Sequence, residues 1–580
     1  MTPLSKFLTA CVMSLAIGSE FAANAATLPQ LPHKQVDVTM PTMTGNTYNA
    51  TCTTFQAQIN AAAAANVNLT HEVILGPNGT TCTGPFVLPS HTGGTGWILI
   101  KGPKYASLPA SGTRVSLSDA TLMPKIKYGE TGSVNGAIAA VTGAQRYRII
   151  GLDIIQNNLI ATNNNLIDLG RDSEWASDNT GYFVLDRLMI HDTNATHNTN
   201  RGVAAGADVG HVALIDSYCA GIKSVGKETQ CFHTDNNPGP ILVQNNFLEA
   251  AGENTMLCGG VDPDNAAHMP QDATFRLNTY SVNPAWYARG GGYDTKTLFE
   301  LKCGNRILVE ANTFENMPQD GGGYAFRLTP RNIFGDGTFS EMSDITIRYN
   351  LVKNVNNWIQ LISNDDQGGS LITKHSKRIY IHDNLVYGLG FQCWLGGGCG
   401  SFLTIAAGGE RCTDPTPTCK IEDLTVTHNT VDDISGRLFC VMRDGARDLN
   451  YRDNLINNNA ARGLLDCDGG AGGHYGTTRL NEAWGATWSW VNNSIAMSGG
   501  GESTANYPQG TNSFPSSADS FLWTNQAARD YTLQAGSPAK NSASDGTDRG
   551  VNFTAYNAAR AGSSGGVLTP PSIPRNLLIR

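Results

Sequence analysis

The chain has 580 residues, with 40 Lys plus Arg against 49 Asp plus Glu and a formal charge of −9 at pH 7. Only 15% of residues are charged and 64 are Gly, a bias that many stacked strands joined by positive-φ turns would produce. The acidic balance and the lack of a Lys/Arg cluster argue against a nucleic-acid surface, and after residue 25 no apolar run is long enough to span a membrane.

Residues 1–25 read as a secretory signal. Lys6 supplies the positive region, Phe7 to Gly18 is mostly apolar, and Ala23-Asn24-Ala25 fits small-x-small cleavage. A lipoprotein-like box at Leu8 to Cys11 has almost no apolar segment before it and is set aside. Export leaves twelve cysteines in an oxidising compartment. Their order suggests the local pairs Cys52–Cys82, Cys219–Cys231, Cys258–Cys303, Cys393–Cys399, Cys412–Cys419 and Cys440–Cys467, although spacing does not prove connectivity. Zinc is the rival for Cys393, Cys399, Cys412 and Cys419; their short Gly-rich gaps favour disulfides.

Thr54 to Ala65 is an Ala-rich helix, followed over 72–89 by strand, turn and strand. A helix at this place covers the open edge of a first coil. Strands follow at 97–102, 146–155, 182–192 and 211–219. From residue 240 the same pattern returns in PILVQNNFLE (240–249), QDATFRLNTY (271–280), RILVEANTFE (306–315) and SDITIRYNLV (343–352). Period-two alternation marks half-buried strands, and one Asn per repeat marks a turn at which side-chain amides can stack. These are Asn246, Asn278, Asn312, Asn350, Asn384, Asn429, Asn454 and Asn493, 25 to 45 residues apart. The expectation is an all-β, right-handed parallel β-helix of about a dozen coils with a short N-terminal capping helix. It would span 26–555, with a turn-rich C-terminal end and a Pro/Gly/Ser-rich linker or tail at 556–580.

The helix with VILGPNGTTCTGPFVLP, the Asn-marked repeats and DYTLQAGSPA (530–539) resemble the right-handed β-helix proteins of the pectin-lyase-like superfamily. Segments 236–260, 298–316 and 326–332 resemble one group of secreted bacterial members to which no reaction is assigned. The resemblance implies the fold, and a prior for action on polysaccharides by β-elimination or hydrolysis, without fixing a reaction. Motifs of better-known branches are missing. Asp365-Asp366 and Gly473-His474 stand isolated, and the tryptophan–aspartate–histidine segment of many pectate lyases is absent.

Chemistry is expected on the strand that follows each Asn turn. TMLCG (255–259), LFELK (298–302), AFRLT (325–329), WIQLI (358–362) and FLTIA (402–406) align by their apolar positions. Alternation then sends Glu300, Arg327 and Gln360 outward in one row, with Lys302 and Thr329 beside it, as a groove floor. One coil earlier His233 and Asp235 point the same way. The insertion 282–296 is a plausible groove wall, with Trp286, Tyr287 and Tyr293 as flat faces for sugar rings. Arg289 is a candidate for meeting a uronate carboxylate, and Arg331 and Gln360 complete the expected substrate contacts. Elimination needs a base, a neutraliser for the carboxylate and a proton donor. Lys302 is the expected base and Arg327 the clamp or acid, since Arg seldom deprotonates. Glu253, Glu300 and Asp235 would orient them or bind Ca2+ through oxygen, with no organic cofactor.

The leading expectation is a secreted, monomeric polysaccharide lyase for an acidic glycan. A glycoside hydrolase using Asp235, Glu253 and Glu300, and a non-catalytic adhesin or carbohydrate-binding protein, are the alternatives. Against all three, the charged row reads as a mere solvated ladder of opposite charges.

Overall fold

The computed structural model describes residues 26–562 except 171–179, 193–196, 209, 261–262, 264–265, 287–291, 320–321, 332–338, 366–372, 394–398, 407–419, 443–445, 459–475, 486 and 499–502. Three long sheets of 14, 13 and 11 strands run along one rod, and neighbouring strands in them pair in parallel. Each coil contributes one strand to each sheet, as in Ile241–Gln244, Phe247–Ala250 and Glu253–Leu257. The expected parallel β-helix is the fold. The helix Phe55–Ala64 buries Phe55, Ile59, Ala62 and Ala63 at the first coil, as a cap should.

The Asn repeat builds the corner between the first and second sheets. Immediately before each ladder Asn stands a residue with φ between 52 and 60°, among them Asn245, Leu277, Ala311, Tyr349 and Asp383. This single left-handed residue turns the chain sharply and drives the next side chain inward. The Asn312 amide then donates to Phe275 O (2.9 Å) and to Asn350 Oδ1 (3.1 Å), while the Asn312 backbone N–H donates to that same oxygen at 2.9 Å. The pattern repeats from Asn246 to Asn493 and continues to Asn512, which the sequence repeats did not reveal.

Two straps cover two of the three sheets. Along the first sheet, the backbone N–H groups of Thr27, Gln30 and His33 donate to Asp423, Asp344 and Asp272. One place in five successive coils reads Asp272, Arg306, Asp344, Arg378, Asp423, so an acceptor recurs every second coil. Two coils rise about 9.6 Å. Three residues of polyproline II rise about 9.3 Å, and Pro29 and Pro32 favour that conformation. The strap and the rod therefore match in pitch. Along the second sheet lies the C-terminal segment, in which Trp523, Tyr531, Val551 and Tyr556 pack on Leu385 and Leu455. Its helix Phe553–Arg560 docks through Arg560 on Asn312 O and Thr313 Oγ1, both at 2.8 Å. The expected domain limit at 555 thus falls inside a helix that belongs to the body.

Cys52–Cys82, Cys219–Cys231, Cys258–Cys303 and Cys393–Cys399 are disulfides, as expected, and the last pair removes two of the four proposed zinc ligands. Cys440 is also disulfide-bonded. Cys412, Cys419, Cys467 and the signal at 1–25 lie outside the described residues. Disulfides of this number fit an oxidising compartment. Among the described residues no helix is long and apolar enough to cross a membrane.

Candidate active site on the third sheet

The third sheet carries neither strap. Its register places His233, Met256, Glu300, Arg327, Gln360 and Thr404 side by side in successive coils. The expected row of Glu300, Arg327 and Gln360 is present. The earlier coil is corrected by one residue, because Thr255 pairs with Phe299 and so brings Met256, not Leu257, beside Glu300. Both alignments match the apolar pattern; Thr255 fills the inward place despite its hydroxyl.

The greater correction concerns access. Expected on an open groove floor, His233, Asp235, Glu253 and Glu300 are at most 1% exposed and Lys302 is 6% exposed. Glu228 and Lys296 account for part of the cover. Lys296 is the last residue of the 282–296 insertion and reaches the carboxyls of Glu253 and Glu300 on the sheet. Trp286 is buried in the main core, 6.2 Å from the Tyr293 ring, and is no free sugar platform. Tyr293 is half-buried; Tyr287 and Arg289 lie outside the described residues.

Lys296 is the centre of the site. Its ammonium donates to Glu228 Oε1 at 2.7 Å, Glu253 Oε1 at 2.9 Å and Glu300 Oε2 at 2.9 Å. Lys302 Nζ lies 3.8 Å from both Glu228 Oε2 and Glu300 Oε2. Arg327, one coil on, stands with its guanidinium 5.5 Å from the Tyr324 ring and a buried Nε that makes no hydrogen bond among the described residues. Two glycines make room for these cations. A Cβ at Gly259 would lie 2.2 Å from Lys302 Cδ, and one at Gly322 would lie 2.9 Å from Arg327 Nη2.

The two innermost carboxyls separate in acidity. Burial pushes Glu253 up to about 8; Lys296 opposes this, while Glu300 and Glu228 reinforce it. Burial acts the same way on Glu300, but the charges of Lys302 and Lys296, the hydrogen bond from Lys296 and the charge of Arg327 hold it down at about 2. Burial disfavours the Lys296 ammonium, yet Glu253, Glu300 and Glu228 together raise it above the usual lysine value. His233 is driven well below the usual histidine range by burial and by Arg201 and Lys302. Its ring is therefore neutral near pH 7, 3.6 Å from Asp235 Oδ2. Asp235 Oδ1 is held by the Gly260 N–H at 2.7 Å.

Of the remaining expected residues, Gln360 is half-buried in the row and Arg331 sits beside it, its N–H on Lys302 O and its Nη1 3.4 Å from Asp365 Oδ2. Glu253, Glu300, Lys302 and Arg327 are thus brought together; His233 and Asp235 form a neighbouring buried pair. Glu228, Gln230 and Lys296 were missed. Glu228 and Lys296 lie in connections without periodicity, so no sequence pattern marks them. Of the three residues expected to bind Ca2+, Glu253 and Glu300 converge with Glu228 on the Lys296 ammonium, and Asp235 lies apart beside His233. Among the described residues no cluster of three His, Cys, Asp or Glu is arranged to hold a metal.

No family model matches the chain, and no curated protein matches it. Among solved structures, a mannuronic acid-specific polysaccharide family 6 lyase from human gut microbiota is similar at 12% identity and a TM-score of 0.49, over 81% of this chain and 91% of that one. PfbA, a surface adhesin of Streptococcus pneumoniae, is similar at 11% identity and a TM-score of 0.32, over 79% and 83%. At these values the likenesses leave the reaction to be argued from the third sheet itself.

Proposed function

We propose that the protein is a secreted polysaccharide lyase that cleaves a uronate-containing glycan by β-elimination at the third sheet. The observation that carries the reading is the placing of Lys302 and Arg327 on adjacent coils, on either side of the ionised Glu300. Arg327 holds the uronate carboxylate. Lys302, once its own ammonium proton has been released to solvent, takes the proton from the carbon beside that carboxylate, the carbon–carbon double bond forms, and the glycosidic carbon–oxygen bond breaks. The ammonium formed on Lys302 returns the proton to the leaving oxygen. In the free protein two carboxylates face Lys302. Glu228 is the one a substrate displaces, its side chain being 43% exposed.

A second reading, hydrolysis, is favoured by one observation. Glu253 and Glu300 share Lys296, which brings their oxygens within about 6 Å, and one is protonated while the other is ionised. Purified protein incubated with a panel of acidic and neutral polysaccharides separates the readings. Elimination yields reducing ends together with the ultraviolet absorbance of an unsaturated uronate. Hydrolysis yields reducing ends alone, and a binding protein yields neither.

A further inference from the structure

A second polar site lies on the same sheet, three to four coils or about 14–19 Å from Glu300 toward the N-terminal cap. It is an open pocket of 240 Å3, with room for one sugar ring and little more. Asn164, Asn165, Asp168 and Arg201 line it from two neighbouring strands, Thr162–Asp168 and Asn198–Ala204. Ser133 and Asn135 line it from the antiparallel hairpin Gly129–Thr131 and Val134–Gly136, which stands at that end.

Arg201, Asn165 and Asn164 are each held by a polar neighbour. Arg201 Nε donates to Gln230 Oε1 at 3.1 Å, Asn165 Nδ2 to Asp168 Oδ2 at 3.0 Å, and Asn200 Nδ2 to Asn164 Oδ1 at 3.1 Å. What remains is chemically specific. The Nη groups of Arg201 make no hydrogen bond among the described residues, so a guanidinium fork is left for an anion. Asn165 is 8% exposed, and its buried Oδ1 accepts nothing among the described residues, so an acceptor is left for a hydroxyl. An anion and a hydroxyl on one ring describe a uronic acid.

The pocket is also tied to the charged cluster. Arg201 donates to Gln230, Gln230 Nε2 donates to Glu253 Oε2 at 2.7 Å, and Glu253 Oε1 accepts from the Lys296 ammonium at 2.9 Å. We propose that this pocket is a distal subsite holding one uronate unit of the glycan, its carboxylate on Arg201 and its hydroxyls on Asn165 and Asp168. The proposal rests on the reading that the third sheet binds an acidic glycan, and it does not depend on which bond is cleaved.

The test is calorimetric binding of oligogalacturonates and alginate oligomers, two and six units long, in a Lys302→Ala background that cannot turn them over. Arg201→Ala is expected to weaken hexamer binding about tenfold or more while leaving dimer binding unchanged. Arg201→Lys, which keeps the charge without the fork, should fall between. In otherwise wild-type protein the same change should raise KM for long chains with kcat intact. Unchanged hexamer binding in Arg201→Ala overturns the proposal, and so does equal loss for dimer and hexamer, or failure of every acidic oligomer to bind. Binding without elimination would remove the lyase reading and leave the subsite standing.

Discussion

The Asn ladder and the charged row of the third sheet ride on the same repeat, yet they treat polar groups in opposite ways. In the ladder every coil supplies the same residue, and each buried amide finds the same partners. In the row every coil supplies a different residue. The His233 ring makes no hydrogen bond among the described residues, Glu253 stays protonated to about 8, and three carboxyl groups share one ammonium. Regular satisfaction is what a scaffold needs. Irregular, closely balanced charge is what an active site needs, and its structural cost is tolerated because the scaffold beside it is so regular.

The difference can be broken from either side. Replacing Lys296 with Met should have the largest effect, since the buried, ionised Glu300 is left without the ammonium that hydrogen-bonds it. A loss of about 3–5 kcal/mol is expected by urea unfolding at pH 7, smaller at acid pH, where the carboxyls protonate. Equal loss at both pH values would show that charge is not the cause. Asn350→Ala, in the middle of the ladder, strands the Asn312 N–H and the Val309 carbonyl. About 3 kcal/mol should go, with no dependence on pH over that range.

Glu253→Gln sharpens the comparison through pH. The folded carboxyl titrates near 8 and the unfolded one near 4.5, so over that interval the unfolded chain binds fewer protons. Glu253 therefore makes stability fall as pH rises from about 4.5 to 8, and the Gln variant should lose less over that window than the wild type. Glu300 has the opposite sign. Held at about 2 when folded, it contributes stability above 4.5 that is lost as pH falls toward 2, and Glu300→Gln should remove that loss. Asp344→Ala, which releases the Gln30 N–H and the Arg378 guanidinium, should cost only about 1 kcal/mol and leave any glycan cleavage unchanged.

How much of this was legible depended on periodicity. Asn278 or Asn350 could be read because identical residues recur before an apolar position. Glu300, Arg327 and Gln360 could be aligned because Phe299, Phe326 and Ile359 fix the register. Alternation gives the direction of a side chain but not what lies above it. Glu300 therefore read as exposed, although Lys296, from a connection with no period, closes over it. The same limit hid Glu228, and it hid the pairing of Gln30 with Asp344 across 314 residues. Trp286 read as a sugar platform because its insertion is long and aromatic; its burial depends on the core beneath it.

The central claim is that Lys302 removes a proton from a bound uronate, and Lys302→Ala tests it most directly. On a polymer cleaved by the wild type, the variant should lose the ultraviolet signal of the unsaturated product by about a hundredfold or more. It should keep its fold and its binding of acidic oligomers. A variant that still forms the unsaturated product at the wild-type rate would contradict the account, and so would a wild type that releases reducing ends from these polymers without that signal.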